Sequence, residues 1–397
     1  MFSFAIDVHK NILSAQCYIR CKTSNAIDKM LVIVQRNFLE ISFYSGAILH
    51  HELKLFYPPN FFIPTTFHSL EKAASVYTAD ENVNCQVKSE YEIKQNGSES
   101  SNFELSFRLQ ISNDSLIDKT LLKPNSVLNF RNLLKTLLKP NIPYNIVCSK
   151  CKNILNKSPV EFNSIEDFHF DSSELSESWF CHSYIEAKSE VLKSNACYIS
   201  MMFVHLHQSI VEHLHMRKCD KYYECNDCST VLSSSKTRQA FIPFFCDAMT
   251  FKTTDESSSQ QSCDNITRAS FHNLIESSLQ SSFSSKLYLY CKTANGEKCI
   301  LLWITSQKVA QSLLHFKLED MPNEMHLETK EVFKVLYCVP PFNSEIEKSW
   351  KHDCIVDYNN ISENMLDFIM GLLESSSKYF PKLENANDDF KVGYLPA

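Results

Sequence analysis

Two Cys-x-x-Cys pairs that lie far apart in the chain constrain this sequence more than any other feature. Cys148 and Cys151 form the first pair, and Cys225 and Cys228 form the second. A two-residue gap lets both sulfurs of a pair bind one ion at about 2.3 Å, and two such pairs supply the four ligands of a tetrahedral zinc site. The spacing therefore predicts a structural zinc site, which requires a fold that brings the two pairs together.

Two other interpretations of these cysteines stay open. In one, the two pairs are unrelated; in the other, one pair is a redox motif, which needs a helix N-terminus and a thioredoxin pattern that the sequence lacks. The chain has 16 cysteines, and Asp7 and Lys10 interrupt the apolar residues at its start, so no signal peptide is predicted. We therefore expect a cytoplasmic or nuclear location, where cysteines stay reduced and metal binding is favoured.

Scarce glycine and a negative net charge argue against several classes of function. The chain has 5 glycines, whereas phosphate-binding loops of the P-loop and dinucleotide-binding types need a cluster of them. The net charge of −7 argues against a nucleic-acid surface, which requires a basic excess. The longest stretch without Asp, Glu, Lys or Arg is 194–211, and its histidines and serines make it a poor membrane span. We therefore predict neither a membrane nor a direct nucleic-acid partner.

Four segments of residues 1–125 are predicted to be strands. Segments 30–43 and 48–57 are rich in β-branched and aromatic residues, and apolar and polar residues alternate in 83–95 and 103–111. Pro58-Pro59 and Asn96-Gly97-Ser98 interrupt the series as turns. We predict that the β-rich N-terminal domain that these segments form is an antiparallel, sandwich-like meander.

The pattern after residue 125 mixes helices with strands. Residues 126–250 are predicted to contain a helix at 126–138 and then the zinc-knuckle region, with a segment inserted between the knuckles. A serine-rich stretch at 251–285 is predicted to be a linker whose second half contains a short helix at 268–279. Residues from 286 to 397 form a predicted C-terminal α+β lobe, with strands at 286–292, 298–305 and 332–339 and a helix at 361–373 that Ser362 caps. The predicted fold class is α+β and mostly β.

An aromatic pair followed by cysteine and histidine is the second group with possible chemistry. Trp179, Phe180, Cys181 and His182 could present a thiolate on an exposed loop. The alternative is that Cys181 is a small buried hydrophobe, which is the commoner role of a free cysteine. The residues alone favour the buried role.

Four histidines in two His-x-His pairs form the third group. His205 and His207 form one pair, and His213 and His215 form the other. A pair on a strand places two imidazoles on one face, where they could bind a metal. No carboxylate cluster with ligand spacing lies near them in the sequence, so a histidine-rich edge or surface segment is favoured.

Five short segments occur in an order that points to a family. They are YNIVCSKC (144–151), SESWFCH (176–182), YYECNDC (222–228), CILLWITS (299–306) and VFKVLYCVPP (332–341). Their order and spacing resemble those of the HECT-like ubiquitin-protein ligases that bind ubiquitin-conjugating enzymes. The resemblance implies that the chain accepts ubiquitin from a conjugating enzyme and passes it to substrate lysines.

The resemblance also implies a second, non-catalytic activity. Members of this family are linked to the metallo-β-lactamase-type, zinc-dependent endonuclease of the mRNA 3′-end cleavage and polyadenylation machinery. The segment at Trp179, Phe180, Cys181 and His182 is the matching position. A thiolate of Cys181 would displace the metal-bound hydroxide of that nuclease. The two aromatic residues would anchor the loop, and His182 would act as a second ligand or hydrogen-bond partner.

Ubiquitin transfer of the HECT type requires an accessible cysteine near the C-terminus that carries a thioester. Cys338 and Cys354 are the available candidates, and structural roles are predicted for both. The sequence therefore leaves the catalytic residue unknown. The range 222–245, around the second Cys-x-x-Cys pair, is predicted to be the contact surface for the conjugating enzyme.

Overall fold

The structure, a computed structural model, describes the following residues of the 397. They are 2–9, 14–23, 29–34, 38–45, 47–57, 67–69, 87–92, 101–110, 130–168, 192–234, 240–254, 263–281, 285–305, 308–317, 320, 322–341, 343–377 and 389–397.

Strands dominate the secondary structure, which confirms the predicted class of α+β and mostly β. The strands are β1 (Phe2–His9), β2 (Ser14–Thr23), β3 (Lys29–Val34), β4 (Phe38–Ser45), β5 (Ile48–Phe56), β6 (Phe67–Ser69), β7 (Val87–Glu92), β8 (Ser101–Gln110), β9 (Pro143–Cys148), β10 (Val160–Glu161), β11 (Ser164–Asp167), β12 (Ala196–Ile199), β13 (Phe203–His207), β14 (Met216–Cys219), β15 (Tyr222–Cys225), β16 (Phe241–Phe245), β17 (Met249–Thr253), β18 (Lys286–Thr293), β19 (Gly296–Ile304), β20 (Val309–Phe316), β21 (Glu324–His326), β22 (Lys330–Cys338), β23 (Asp357–Asn360) and β24 (Lys391–Pro396). The helices are α1 (Phe130–Leu137), α2 (Gln208–Val211), α3 (Cys263–Ser281), α4 (Glu345–His352) and α5 (Glu363–Ser377).

The chain divides into two compact units, and neither is one continuous stretch of sequence. Unit 1 comprises 1–125, 304–338 and 371–397. Unit 2 comprises 126–303 and 339–370. Residues of the predicted C-terminal lobe therefore occur in both units.

Unit 1 contains two sheets that pack as a sandwich. In the first sheet, β1 lies between β2 and β20, β8 pairs with β2, and β6 pairs with β8, all antiparallel. Strand β22 pairs with β20 and with β24. The second sheet has the order β21-β5-β4-β3-β7. This unit contains the sandwich that the alternating pattern predicts for the N-terminal residues.

The core of unit 1 lies between its two sheets and contains alternate residues of β1. Phe2, Phe4 and Ile6 of β1 are buried in the same cluster as Ile41 of β4 and other residues of the second sheet. The rings of Phe2 and Phe43 meet edge to face, with centroids 5.8 Å apart. One face of each sheet therefore forms the common core, as period-two alternation requires.

The predicted strand 30–43 is two strands in the structure. Strands β3 and β4 pair antiparallel with each other. The sequence between them, Gln35-Arg36-Asn37, is polar, whereas the apolar residues on either side suit strands. Because only three polar residues separate the two apolar segments, the sequence pattern predicted them as one segment.

A buried polar network in unit 1 joins residues that are distant in sequence. The Asp7 carboxylate is fully buried and lies 3.0 Å from Nζ of Lys334 and 3.1 Å from Nε2 of Gln311. The hydroxyl of Tyr394 also donates to it. Lys334 in turn donates to the hydroxyl of Tyr18. Strands β1, β2, β20, β22 and β24 each contribute one residue to this network.

Unit 2 contains several smaller sheets that contribute to an apolar core. They are a three-stranded sheet β10-β9-β17, a four-stranded sheet β11-β12-β13-β16 and the hairpin β14–β15. Strand β18 pairs with β19 and β23. Helices α1 and α3 contribute Phe130, Leu134, Ile266 and Ala269 to the core.

Three helices of the structure agree with helical patterns in the sequence, whereas α2 and α4 were not predicted. Helix α1 falls within the predicted range 126–138, and α3 contains the predicted 268–279. The predicted helix at 361–373 is α5, and the N–H of Met365 donates to Oγ of Ser362 at 3.0 Å. Ser362 is therefore the N-cap residue that the sequence predicted.

Candidate metal centre

The first Cys-x-x-Cys pair lies in a tight loop at the end of β9. The N–H of Lys152 donates to the carbonyl of Cys148 at 2.9 Å, and the N–H of Cys148 donates to the carbonyl of Asn153 at 3.0 Å. Lys152 has a φ of 64°, in the left-handed region that favours glycine. These bonds direct the sulfurs of Cys148 and Cys151 to the same side of the loop.

The second pair repeats this geometry at the end of β15. The N–H of Ser229 donates to the carbonyl of Cys225, and the N–H of Cys225 donates to the carbonyl of Thr230, both at 2.9 Å. Ser229 has a φ of 56° and is left-handed like its counterpart Lys152. The two loops are therefore equivalent knuckles, and their lysine and serine occupy the position where glycine is common.

The fold brings the four sulfurs of the knuckles together. Sγ of Cys148 lies 3.6 Å from Sγ of Cys228, and Sγ of Cys151 lies 3.7 Å from Sγ of Cys225. All four sulfurs lie within 4.8 Å of one another. A tetrahedral ion with bonds of about 2.3 Å holds its sulfurs about 3.8 Å apart. The four cysteines, which we call the cysteine cluster, therefore fit a tetrahedral metal ion.

The electrostatics of the cysteine cluster differ between its sulfurs. Burial raises the pKa of Cys148 and of Cys225 above the ordinary value for a thiol. Burial also acts to raise the pKa of Cys228, but hydrogen bonds from Thr230 and the neighbouring thiols lower it to about 7. Thiols crowded in this way favour binding a cation, because the metal stabilises the thiolates that burial alone disfavours.

Contacts from elsewhere in unit 2 hold the first knuckle in place. The N–H of Ser149 donates to the carbonyl of Ala248 at 3.0 Å. Lys150 forms an ion pair of 2.8 Å with Glu363, the first residue of α5. The knuckle is thus tied both to the turn between β16 and β17 and to the start of a helix.

The turn next to the knuckle contains a buried carboxylate that sequence reasoning missed. Asp247 is almost fully buried, and its carboxylate accepts a hydrogen bond of 2.6 Å from Ser362. Burial raises its pKa to about 6, and hydrogen bonds from Ser362 and Thr267 partly oppose that shift. No local signal in the sequence pairs Asp247 with residues 20 or 115 positions away, so the pattern could not identify it.

The histidine pairs do not form a metal site in the described part of unit 2. Nε2 of His205 lies 2.7 Å from Oγ of Ser200, and its ring stacks on Phe168. Nδ1 of His207 accepts from the N–H of Ser209 and caps α2. Both histidines of β13 therefore have packing and capping roles. In the ranges described, the cysteine cluster is the grouping of potential ligands that is close enough for a metal.

The other predicted site residues are placed as follows. Trp179, Phe180, Cys181 and His182 lie outside the described residues, so their binding of a nuclease stays a prediction. Of the two candidates for a thioester, Cys338 is buried and Cys354 is exposed. Within the described residues, no helix is long and apolar enough to cross a membrane.

Comparison with known proteins gives one family. The model of the family described as HECT-like Ubiquitin-conjugating enzyme (E2)-binding matches residues 65–392. No curated protein and no solved structure matches the chain. The matched range includes both knuckles of the cysteine cluster.

Proposed function

Because the chain belongs to the HECT-like family of proteins that bind ubiquitin-conjugating enzymes, we propose that it binds such an enzyme and promotes transfer of ubiquitin to substrate proteins. The observation that carries this proposal is the family match over residues 65–392. The match covers most of the chain and is not confined to one short motif. The five segments at 144–341, on which the resemblance rests, all lie inside the matched range.

The cysteine cluster would hold a structural zinc ion in this protein. Four thiolates in a tetrahedron suit zinc, although an iron–sulfur centre uses the same donors. Cys148, Cys151, Cys225 and Cys228 would be the ligands. A closed four-cysteine site leaves no open position, so the ion would stabilise the knuckles without activating water or substrate.

Metal analysis of the purified protein tests this role. We expect about one zinc per chain. Cys148→Ser and Cys225→Ser, one from each knuckle, should both lose it. Cys197→Ser is the matched control, because Cys197 is buried in unit 2 and lies outside the cluster. Iron in place of zinc, or a folded and reduced protein without metal, would contradict the zinc assignment.

Ubiquitin transfer can proceed by two routes. In the first, a cysteine of this chain attacks the thioester of the charged conjugating enzyme, forms a new thioester with ubiquitin and releases the thiol of that enzyme. Cys354 is the exposed cysteine among those described, and Cys338 is buried, with a pKa that burial raises. In the second route, the protein positions the charged enzyme and substrate without forming a covalent intermediate.

A thioester assay decides between these routes. Charged conjugating enzymes would be mixed with the protein and separated on gels with and without reductant. A reductant-sensitive ubiquitin adduct that disappears in Cys354→Ser and persists in Cys338→Ser would establish the covalent route through Cys354. Stimulated transfer to substrate without an adduct would establish the second route. The proposed function would be refuted if the protein neither bound nor stimulated any conjugating enzyme in a broad panel.

A further inference from the structure

Unit 2 contains a cavity that none of the roles above uses. Its volume is about 540 Å³, within the range of ligand-binding pockets. Three segments form most of its wall: the turn between β12 and β13, strand β18 and strand β23. The lining residues are Ser200, Met201, Met202, Phe203, His205, Ser234, Pro243, Tyr288, Tyr290, Lys351, Tyr358, Asn359 and Asn360.

Strand β23 is an edge strand beside this cavity. It pairs in parallel with β18 and ends the strand order of its sheet, so the described residues place no strand on its other side. The N–H of Ile361 donates to the carbonyl of Tyr290 at 2.8 Å. Because backbone groups alternate along a strand, the N–H and carbonyl of Asn360 and Tyr358 face the open edge.

The cavity lies along that open edge. Tyr358, Asn359 and Asn360 are consecutive, and all three line it. Successive side chains of a strand point to opposite faces of the sheet. A cavity that is lined by three successive residues therefore extends around the edge of the strand, where an added strand would lie.

Two amide atoms at this edge have no hydrogen-bond partner among the described residues. Nδ2 of Asn359 and Oδ1 of Asn360 are shielded from solvent and make no hydrogen bond. One is a donor and the other an acceptor. An unpaired buried polar atom is unfavourable, and an added peptide, which carries both a carbonyl and an N–H, supplies the complementary groups after a small rotation of each side chain.

The remaining wall suits an apolar side chain. Met201, Met202, Phe203 and Pro243 face the cavity together with tyrosine rings. Aromatic residues and methionine are enriched at protein–protein contacts, where one buried anchor in a pocket often dominates the binding energy. The charge of Lys351 at the wall is already paired with Glu347 at 2.8 Å. The lining therefore favours an uncharged anchor.

We propose that the open edge of β23 binds an extended segment of the ubiquitin-conjugating enzyme by strand addition, with an apolar side chain of that segment in the cavity. Recognition of this kind combines backbone hydrogen bonds with side-chain pockets. This inference rests on the proposed function, and every lining residue lies within the range that matches the family. Ser234 and Pro243 also lie inside the range 222–245 that the sequence predicted to contact the enzyme.

Binding measurements with purified, uncharged conjugating enzymes test this inference. Tyr358→Ala removes a lining side chain that is 44% exposed, and Met201→Glu places a charge on the apolar wall. Each variant should weaken binding about tenfold or more. Trp303→Ala is the matched control, because Trp303 is 41% exposed, lies in the same unit and does not line the cavity. Its dissociation constant should change less than about twofold.

Hydrogen exchange gives a second readout that does not depend on substitutions. The amides of Tyr358 and Asn360 should exchange more slowly in the complex, because an added strand would bond them. Strand addition would be overturned if the wild-type protein bound a conjugating enzyme and both cavity variants bound it with the same affinity. It would also be overturned if amide exchange at β23 did not change in the wild-type complex. Either result would leave the proposed function in place. Absence of wild-type binding to every conjugating enzyme in the panel would overturn both.

Discussion

The two units of this protein achieve stability in different ways. Unit 1 packs two sheets around one apolar core, and its strands reach ten residues in β2 and β8. Much of unit 2 consists of smaller sheets with strands as short as the two residues of β10, although β18 and β19 have eight and nine residues. A short strand buries little apolar area, and burial is the main favourable term in folding. We therefore expect unit 2 to depend more strongly on specific cross-links.

The polar groups buried in the two units also differ in how much the surrounding structure depends on them. In unit 1, Asp7 and Lys334 form a buried ion pair inside a framework that the apolar core already supports. In unit 2, the cysteine cluster and Asp247 join loops that few strand pairs connect. The comparison predicts that loss of a cross-link has a local effect in unit 1 and a general effect in unit 2.

Removal of the metal should give the largest effect and should be confined to unit 2. Binding of structural zinc contributes on the order of 10 kcal/mol to folding in small domains, so a strong chelator or Cys148→Ser should unfold this unit. The two described tryptophans, Trp303 and Trp350, lie in unit 2, and the sequence ranges of unit 1 contain no tryptophan, so tryptophan fluorescence reports the unfolding of unit 2. Hydrogen exchange in β1 and β2 of unit 1 should stay slow.

Two results of that experiment would contradict this difference between the units. Equal loss of protection in β1 and β9 would mean that the units unfold together. Tryptophan fluorescence unchanged after complete removal of the metal would mean that the small sheets need no cross-link. The Cys197→Ser variant, measured without a chelator, is the control for Cys148→Ser, because it also loses a buried thiol.

Asp7→Ala should give the second-largest effect, in unit 1. The substitution leaves the charge of Lys334, whose side chain is 18% exposed, without its carboxylate, and breaking a buried pair from one side costs at most about 3–5 kcal/mol. Chemical denaturation, with hydrogen exchange in β1 as the readout, would measure the decrease in the free energy of unfolding of unit 1. Glu52→Ala is the matched control, because the pair of Glu52 and Lys54 in the same unit is partly exposed. It should cost less than about 1 kcal/mol.

The metal content sharpens this prediction. The Asp7→Ala variant should keep its metal, since the cysteine cluster lies in the other unit. The double variant Asp7→Leu with Lys334→Met should recover much of the stability, because no charge is then left unpaired. A double variant that is less stable than Asp7→Ala would show that the ion pair itself stabilises unit 1.

A pH-dependent contribution from Asp247 should be smaller. Its pKa rises to about 6 in the folded protein because the carboxyl is buried, whereas an unfolded aspartate titrates near 3.9. The folded state thus holds the proton more tightly, and this contribution to stability is lost as the pH rises through 6. Relative to Asp247→Asn, wild type should lose about 1 kcal/mol between pH 5 and pH 7.

Denaturation of both proteins across this range, followed by tryptophan fluorescence, measures the difference. The asparagine variant removes the titrating group and keeps the cysteine cluster, so acid effects on the metal cancel in the comparison. A difference between the two proteins that stays constant from pH 5 to pH 7 would show that Asp247 is ionised throughout. A difference of opposite sign would show that the hydrogen bonds from Ser362 and Thr267 outweigh burial.

The features that the sequence predicted correctly are those encoded by residues close together in the chain. The alternation at 103–111 predicted β8, and the spacing of Cys148 and Cys151 predicted one knuckle, because each signal lies within a few residues. The pairing of β1 with β20 and the contact of Asp247 with Ser362 join residues that are far apart in the chain. No periodicity encodes which distant segments meet, so the composition of the units was not predictable from these patterns.

Glycine substitutions at the left-handed knuckle residues should give the smallest change in stability, and they should increase it. Lys152 and Ser229 have φ values of 64° and 56°, where a residue with a Cβ is strained by about 1 kcal/mol relative to glycine. Lys152→Gly and Ser229→Gly should each stabilise unit 2 by about 0.5–1 kcal/mol, because the strain is relieved at some cost in backbone entropy. Thermal unfolding followed by tryptophan fluorescence would detect the gain.

Asn141→Gly is the matched control, since Asn141 has a φ of 58° and asparagine tolerates this conformation. Destabilisation by both knuckle glycines, with Asn141→Gly neutral, would mean that the side chains of Lys152 and Ser229 support the knuckles.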